Sequence, residues 1–139
     1  MDEKQAIKIS TLLWDSLTRV YKDNLNGTNE LLKEWNLSNA QMDIIGRLGE
    51  EIVLSQQELA DKLIVTKGNI TQHIKKLEDL NLINRKKEWK TNYISLTDDG
   101  NRVYEELTPH LERYQLEKFS KLTMEEKKQL LHMLRKLHK

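Results

Sequence analysis

Residues 66–80 hold Thr66, Lys67, Gly68, Asn69, Thr71, Gln72, Lys75 and Lys76, with the acidic pair Glu78 and Asp79 left to the end. Hydroxyls, amides and ammoniums in this order can donate hydrogen bonds and positive charge to an anionic partner. Gln72 matches an adenine edge, and Lys75 reaches either guanine or a phosphate. Thr and Asn suit phosphate oxygens. Gly68 has no Cβ, so backbone can approach a phosphate or a base closely. Further on, Arg85, Lys86, Lys87 and Lys90 continue the basic theme. Residues 66–90 carry seven Lys/Arg against three Asp/Glu, net +4, whereas residues 1–65 carry net −4 and residues 91–139 net +1. A basic patch on a chain of net charge +1 points to a polyanion bound at one place, against the plainer reading of a solvated surface.

Other chemistries find little support. The chain has no Cys, which excludes disulfides, thiolate metal sites and cysteine redox switches. Its four histidines, His73, His110, His132 and His138, do not have the pairing of a zinc site, so no metal and no cofactor are expected. His73 reads as a packing or phosphate-proximal residue. The carboxylate pairs Asp98–Asp99 and Glu125–Glu126 stand at helix starts, where they complement the helix dipole. No catalytic Ser/His/Asp arrangement or phosphate-binding Gly loop is visible, and an enzyme is not expected. No stretch of 18 apolar residues exists, so the expectation is a cytoplasmic protein without a membrane partner.

The basic residues must be positioned by the elements around them. A length of 139 residues fits one ordinary domain. Ile7, Leu13, Trp14, Leu17, Val20 and Tyr21 recur at helical spacing, giving a long amphipathic helix over 3–25. The Asn-Gly within 24–30 reads as a break. Residues 31–37 form a short apolar patch. Ser38 with Gln41, Ser55 with Glu58 and Thr123 with Glu126 are three capping boxes, each opening a helix. Between them, Thr66 is placed to cap a helix running to Leu80, with Ile70, Ile74 and Leu77 along its buried face and Asn81 as left-handed C-cap. Residues 82–97 alternate as two short strands around a polar turn. Thr97 caps a further helix, in which Pro109 either kinks the run or marks a fresh start. The fold class is therefore mainly α with a small β-hairpin: a winged helix-turn-helix core, residues 31–97, flanked by long helical segments, 1–30 and 98–139. Helix 56–63 props helix 66–80, whose outward side faces a DNA major groove, and the basic wing 84–92 lies along the adjacent minor groove.

With "LSQQELADKLIVTKGNITQHIKKLEDLNLINR", "ISLTDDG" and the preceding "LSNAQMDIIGRL", the chain resembles the MarR (multiple antibiotic resistance regulator) family over essentially its whole length. The resemblance implies a homodimeric transcription factor, most often a repressor. Its terminal helices interlock as a dimerisation region, and it binds double-stranded DNA at a near-palindromic operator. Many relatives are released by a small aromatic ligand held between the dimerisation helices and the DNA-binding domain. Trp14, Tyr21 and Trp35 either line such an effector pocket or belong to core and dimer interface. The family's Asp-x-Arg in the wing is replaced by Glu88-Trp89-Lys90 and the wing looks shorter. Lys90 is then left to phosphate work, and Trp89 either covers the hairpin base or touches a DNA sugar.

A dimer also fits the physics. If each chain neutralises about four phosphates, two chains give a log–log salt slope of about −7. The competing class is a winged-helix protein-interaction module that binds no specific duplex; the acid-free outward face of helix 66–80 favours DNA.

Overall fold

The computed structural model describes residues 2–63 and 69–138. In chain order these form α1 (Glu3–Leu32), a short 3₁₀ turn (Lys33–Trp35), α2 (Asn39–Glu51), β1 (Val53–Ser55), α3 (Gln56–Lys62), α4 (Ile70–Asp79), β2 (Ile83–Glu88), β3 (Thr91–Leu96), α5 (Asp98–Lys118) and α6 (Met124–Leu137). The chain divides into two compact units, residues 1–105 and 106–139.

The first unit holds a winged helix-turn-helix. Leu32, Ile44, Ile45, Leu48, Leu59, Ile74, Leu77 and Ile94 are completely buried there and draw α1's end, α2, α3, α4 and the sheet around one core. Ser38 and Ser55 form the expected capping boxes with Gln41 and Glu58. The backbone N–H of Ser55 and then its hydroxyl hold the Glu58 carboxylate below the usual range, so this cap fails only as pH falls through that lowered value.

Two elements differ from the sequence reading. First, α1 does not break at residues 24–30 but runs on to Leu32. The cause lies further along the chain. Thr28 donates to Asn39 Oδ1 at 2.7 Å, Asn39 Nδ2 donates to the Leu25 carbonyl at 2.8 Å, and Asn39 N–H donates to Asn29 Oδ1 at 3.0 Å. Three bonds worth about 1 kcal/mol each outweigh the cost of about 1 kcal/mol for a helical Gly27. Asn39→Ala removes the two side-chain bonds, while the Thr28 hydroxyl keeps the Asn24 and Leu25 carbonyls as acceptors, so unfolding free energy should fall by about 1–2 kcal/mol. Chemical denaturation would measure this, and a smaller loss would mean the clamp does not hold α1 together.

Second, the wing is part of a three-stranded antiparallel sheet, in order β1-β3-β2. The added strand pairs Leu54 with Ile94 and ties the segment before α3 to the base of the hairpin. Helix α4 spans Ile70–Asp79, with Asn69 at its N-cap making no side-chain cap bond. The expected cap at Thr66 and the contacts of Lys67 and Gly68 lie outside the described residues.

The α4 C-terminus is as expected. Asn81 sits at φ 60°, its N–H bonds the Glu78 carbonyl, and Leu82 N–H bonds the Leu77 carbonyl, the two bonds of a Schellman motif. Thr97 caps α5 by accepting from Gly100 N–H at 3.0 Å, and α5 then continues through Pro109 as one helix rather than restarting. In the second unit, Thr123 and Glu126 form the third capping box and open α6. Leu107 is buried, while Leu116, Met124, Leu131, Met133 and Leu137 are exposed. Along α1, Ile7, Leu13, Trp14, Val20 and Tyr21 are exposed too.

Candidate nucleic-acid interface

Two faces of α4 do opposite jobs. Ile74 and Leu77 are fully buried, so the helix cannot rotate about its axis. That fixes Thr71, Gln72, Lys75 and Lys76 in solvent. No acidic residue lies in the first turn, and the helix N-terminus adds its own partial positive charge. Asn69 is exposed at that end and His73 is half-buried. Thr71 is engaged by its neighbour, with Gln56 Nε2 donating to Thr71 Oγ1 at 3.3 Å. This bond brings Gln56, at the start of α3, into the site. Nothing in the sequence singled out Gln56 beyond its place next to the Ser55 cap.

The wing sorts its cations by strand geometry. Side chains alternate across a strand, and Arg85 stands opposite the buried Ile94, on the inner face. There Arg85 donates to the Glu78 carboxylate at the end of α4. Lys86, on the outer face, lies 3.4 Å from Glu88. Lys75, Lys76, Lys87 and Lys90 have no acidic partner among the described residues. Those four are the ammoniums free to meet phosphate, and Arg85 is held back as a brace between α4 and the hairpin. Its acidic partner comes seven residues earlier, so the Lys/Arg count alone overstated the wing's available charge.

Between α3, the first turn of α4 and the hairpin tip lies an open cleft of about 390 Å³, lined by Gln56, Gln57, Ala60, Ile70, Lys90, Thr91 and Asn92 among others. It is rich in amides and hydroxyls and carries no carboxylate, a suitable wall for a sugar-phosphate strand. Thr91 and Asn92 are additions to the residues read from sequence.

The hairpin closes with two residues, since Glu88 pairs with Thr91. Trp89 takes φ 61° and Lys90 does not take positive φ, the pattern of a type II′ turn. Trp89 is 92% exposed and therefore does not cover the hairpin base.

The three aromatics considered for an effector pocket are spread along one long helix and its end. Trp14 is 70% exposed and Tyr21 is exposed, while Trp35 is half-buried in the 3₁₀ turn. The unbroken helix from Trp14 to Leu32 separates the first from the last by about 27 Å at 1.5 Å per residue. Among the described residues no group of three or more His, Cys, Asp or Glu could hold a metal ion, and no helix is long and apolar enough to cross a membrane.

A buried-and-exposed recognition helix, a supporting helix before it and a basic hairpin after it define a winged helix-turn-helix DNA-binding protein. The chain belongs to the MarR family. The family model, described as "MarR family", matches residues 37–88. An HTH-type transcriptional regulator of Bacillus cereus (strain ATCC 10987 / NRS 248) is 36% identical over 132 residues, covering 94% of this chain and 90% of the relative. Two solved structures share the fold. Bordetella bronchiseptica BpsR, whose DNA binding is regulated by 6-hydroxynicotinic acid, has a TM-score of 0.85 at 19% identity, over 92% of this chain and 99% of that one. A mutant MarR from E. coli complexed with operator DNA has a TM-score of 0.81 at 20% identity, over 99% of each chain. The protein is thus a MarR-family transcriptional regulator with a DNA-binding fold.

Proposed function

We propose that this chain acts in the cytoplasm as a homodimeric repressor that binds a pseudo-palindromic operator. The recognition segment 66–80, whose helix is α4, lies in the major groove of each half-site, and the wing, 84–92, runs along the flanking backbone. The observation that carries this reading is the exposed, acid-free opening of α4 above a buried Ile74 and Leu77. On that face Gln72 reads a base edge, while Lys75, Lys76, Lys87 and Lys90 bind phosphates or, for Lys75, guanine. Thr66, Lys67, Gly68 and Asn69 supply the helix-start contacts, and Arg85 and Lys86 set the hairpin's field. Repression follows from occupancy, because a chain seated on its operator excludes other proteins from the same duplex.

The second copy is supported by exposed apolar side chains. Leu13, Trp14 and Val20 on α1, and Met124, Leu131 and Leu137 on α6, lie open in the single chain. Apolar surface on this scale is covered in a stable protein, and a two-fold pair covers it while presenting two reading heads one helical turn apart. Release by a small aromatic ligand is part of the same proposal. BpsR offers a precedent in fold, with an aromatic acid as regulator of its DNA binding. Given the length of α1, one ligand contacts Trp35 near the winged unit or Trp14 and Tyr21 further along, not all three in one chain.

Selecting bound duplexes from a random pool tests the reading. The expected product is an inverted repeat with half-sites about one helical turn, 34–36 Å, apart, bound by a species of twice the chain mass in sedimentation. A pool that yields no common sequence would favour a protein-interaction module, and a monomer on DNA would remove the two-fold arrangement.

A further inference from the structure

Trp89 stands at the first central position of a two-residue hairpin turn, with φ 61°. An L-residue with a bulky side chain is strained in the left-handed region, where glycine is at home. Strain of this kind is ordinarily offset by packing, yet the indole is 92% exposed and gains nothing from the fold. The hairpin carries it outward: Ile94, opposite Arg85, is the outermost buried residue of the two hairpin strands, and Trp89 lies four residues beyond Arg85, about 13 Å along the strand. Its surroundings are basic on balance, with the adjoining Glu88 carboxylate 3.4 Å from the Lys86 ammonium. Lys90 follows it in the turn and Lys87 precedes it by two residues, both without an acidic partner among the described residues. A costly conformation that projects an apolar plate between free ammoniums serves a partner that is anionic outside and apolar within.

We infer that Trp89 is a DNA-contacting wedge: its indole enters the minor groove flanking each half-site and packs against the deoxyribose wall while Lys87 and Lys90 hold the phosphates on either side. The inference rests on the regulator reading above. The minor groove is about 6 Å wide, which admits an aromatic plate edge-on, and apolar side chains inserted there are an established way of gripping duplex. The charge-reading role of a wing arginine is thereby divided between two lysines and a neutral plate. Because the plate carries no charge, it adds affinity without releasing counterions.

That separation gives the test. The full-length chain and its Trp89→Gly and Trp89→Phe variants are titrated with a duplex selected from a random pool, and with a scrambled one, at several salt concentrations. Thermal melting is recorded without DNA. Trp89→Gly should bind the selected duplex at least about thirtyfold more weakly, since a two-fold complex loses two indoles and each aromatic stacked on nucleic acid is worth about fivefold or more. Its salt slope should be unchanged, and its melting temperature equal or higher, since glycine adopts the turn without strain. Trp89→Phe should recover most of the affinity. If Trp89→Gly binds as tightly as the parent, the wedge is wrong and the regulator reading stands. If weaker binding comes with a lower melting temperature or a shallower salt slope, Trp89 supports the hairpin and the wedge is again wrong. If the parent chain does not prefer the selected duplex, the regulator reading and the wedge fall together.

Discussion

Gln72→Ala should weaken operator binding by at least about thirtyfold, because a bidentate amide–adenine pair discriminates by about 1–3 kcal/mol and the proposed two-fold complex would hold two of them. Lys75→Ala should also weaken binding, and its salt dependence distinguishes phosphate from base. If Lys75 neutralises a phosphate, removing it from both chains makes the log–log slope shallower by about 2 and affects every sequence alike. If Lys75 reads guanine, the substitution instead relaxes preference at one position of each half-site. Both side chains are exposed and neither accepts a partner among the described residues. Thermal stability should therefore stay within about 0.5 kcal/mol of the parent, as for surface substitutions in general. Fluorescence anisotropy with the selected duplex, alongside melting curves, measures both effects. Parent-like affinity in the two variants together would place the groove-facing surface somewhere other than α4.

Much of the scaffold was legible because its determinants are local. The capping boxes at Ser38, Ser55 and Thr123 each need one residue and another three positions on, a spacing visible in any window. Asn81 at φ 60° and the buried side of α4 follow likewise from residue type and helical period. What was hidden depends on distant partners. Asn26-Gly27 reads as a stop signal until Asn39 reaches back to Leu25 and Thr28. A strand of three residues, Val53–Ser55, has no period to detect and exists by pairing with residues forty positions later. Arg85 counts as a free cation until the hairpin folds it onto Glu78, and Gln56 gains its place only by touching Thr71. The site was therefore readable as a distribution of charge and exposure, while the partition of its cations into free and braced required the fold. The helix-start residues Thr66, Lys67 and Gly68 lie outside the described residues, and their DNA contacts stand as part of the proposal.

Gly100→Ala should be the most damaging single methyl group in the winged unit. A Cβ at this position would lie 2.0 Å from the Leu82 carbonyl oxygen and 3.2 Å from Leu96 Cδ2. The first obstacle is backbone, and it is pinned: Thr97 N–H donates to that same carbonyl at 3.1 Å. The neighbouring Asn81 carbonyl accepts from the Thr97 hydroxyl at 2.7 Å, which in turn accepts from Gly100 N–H at 3.0 Å. These bonds join the end of α4, the exit of the hairpin and the start of α5 at one point. Making room for the methyl means moving α5's first turn away and breaking at least one of them. The expected cost is about 3 kcal/mol, the upper end for overpacked positions, or a fall in melting temperature of about 10 °C for a domain of this size. Thr97→Ala, which removes the cap without adding volume, should cost only about 1 kcal/mol, so the difference between the two isolates the steric part. A second consequence follows for binding. Since the shifted junction carries both α4 and the wing, Gly100→Ala should lose affinity for the selected duplex even at temperatures where it remains folded, whereas Thr97→Ala should lose little. If Gly100→Ala melts with the parent, the close approach of α5 to Leu82 is wrong, and with it the account of how the recognition helix and the wing are held in register.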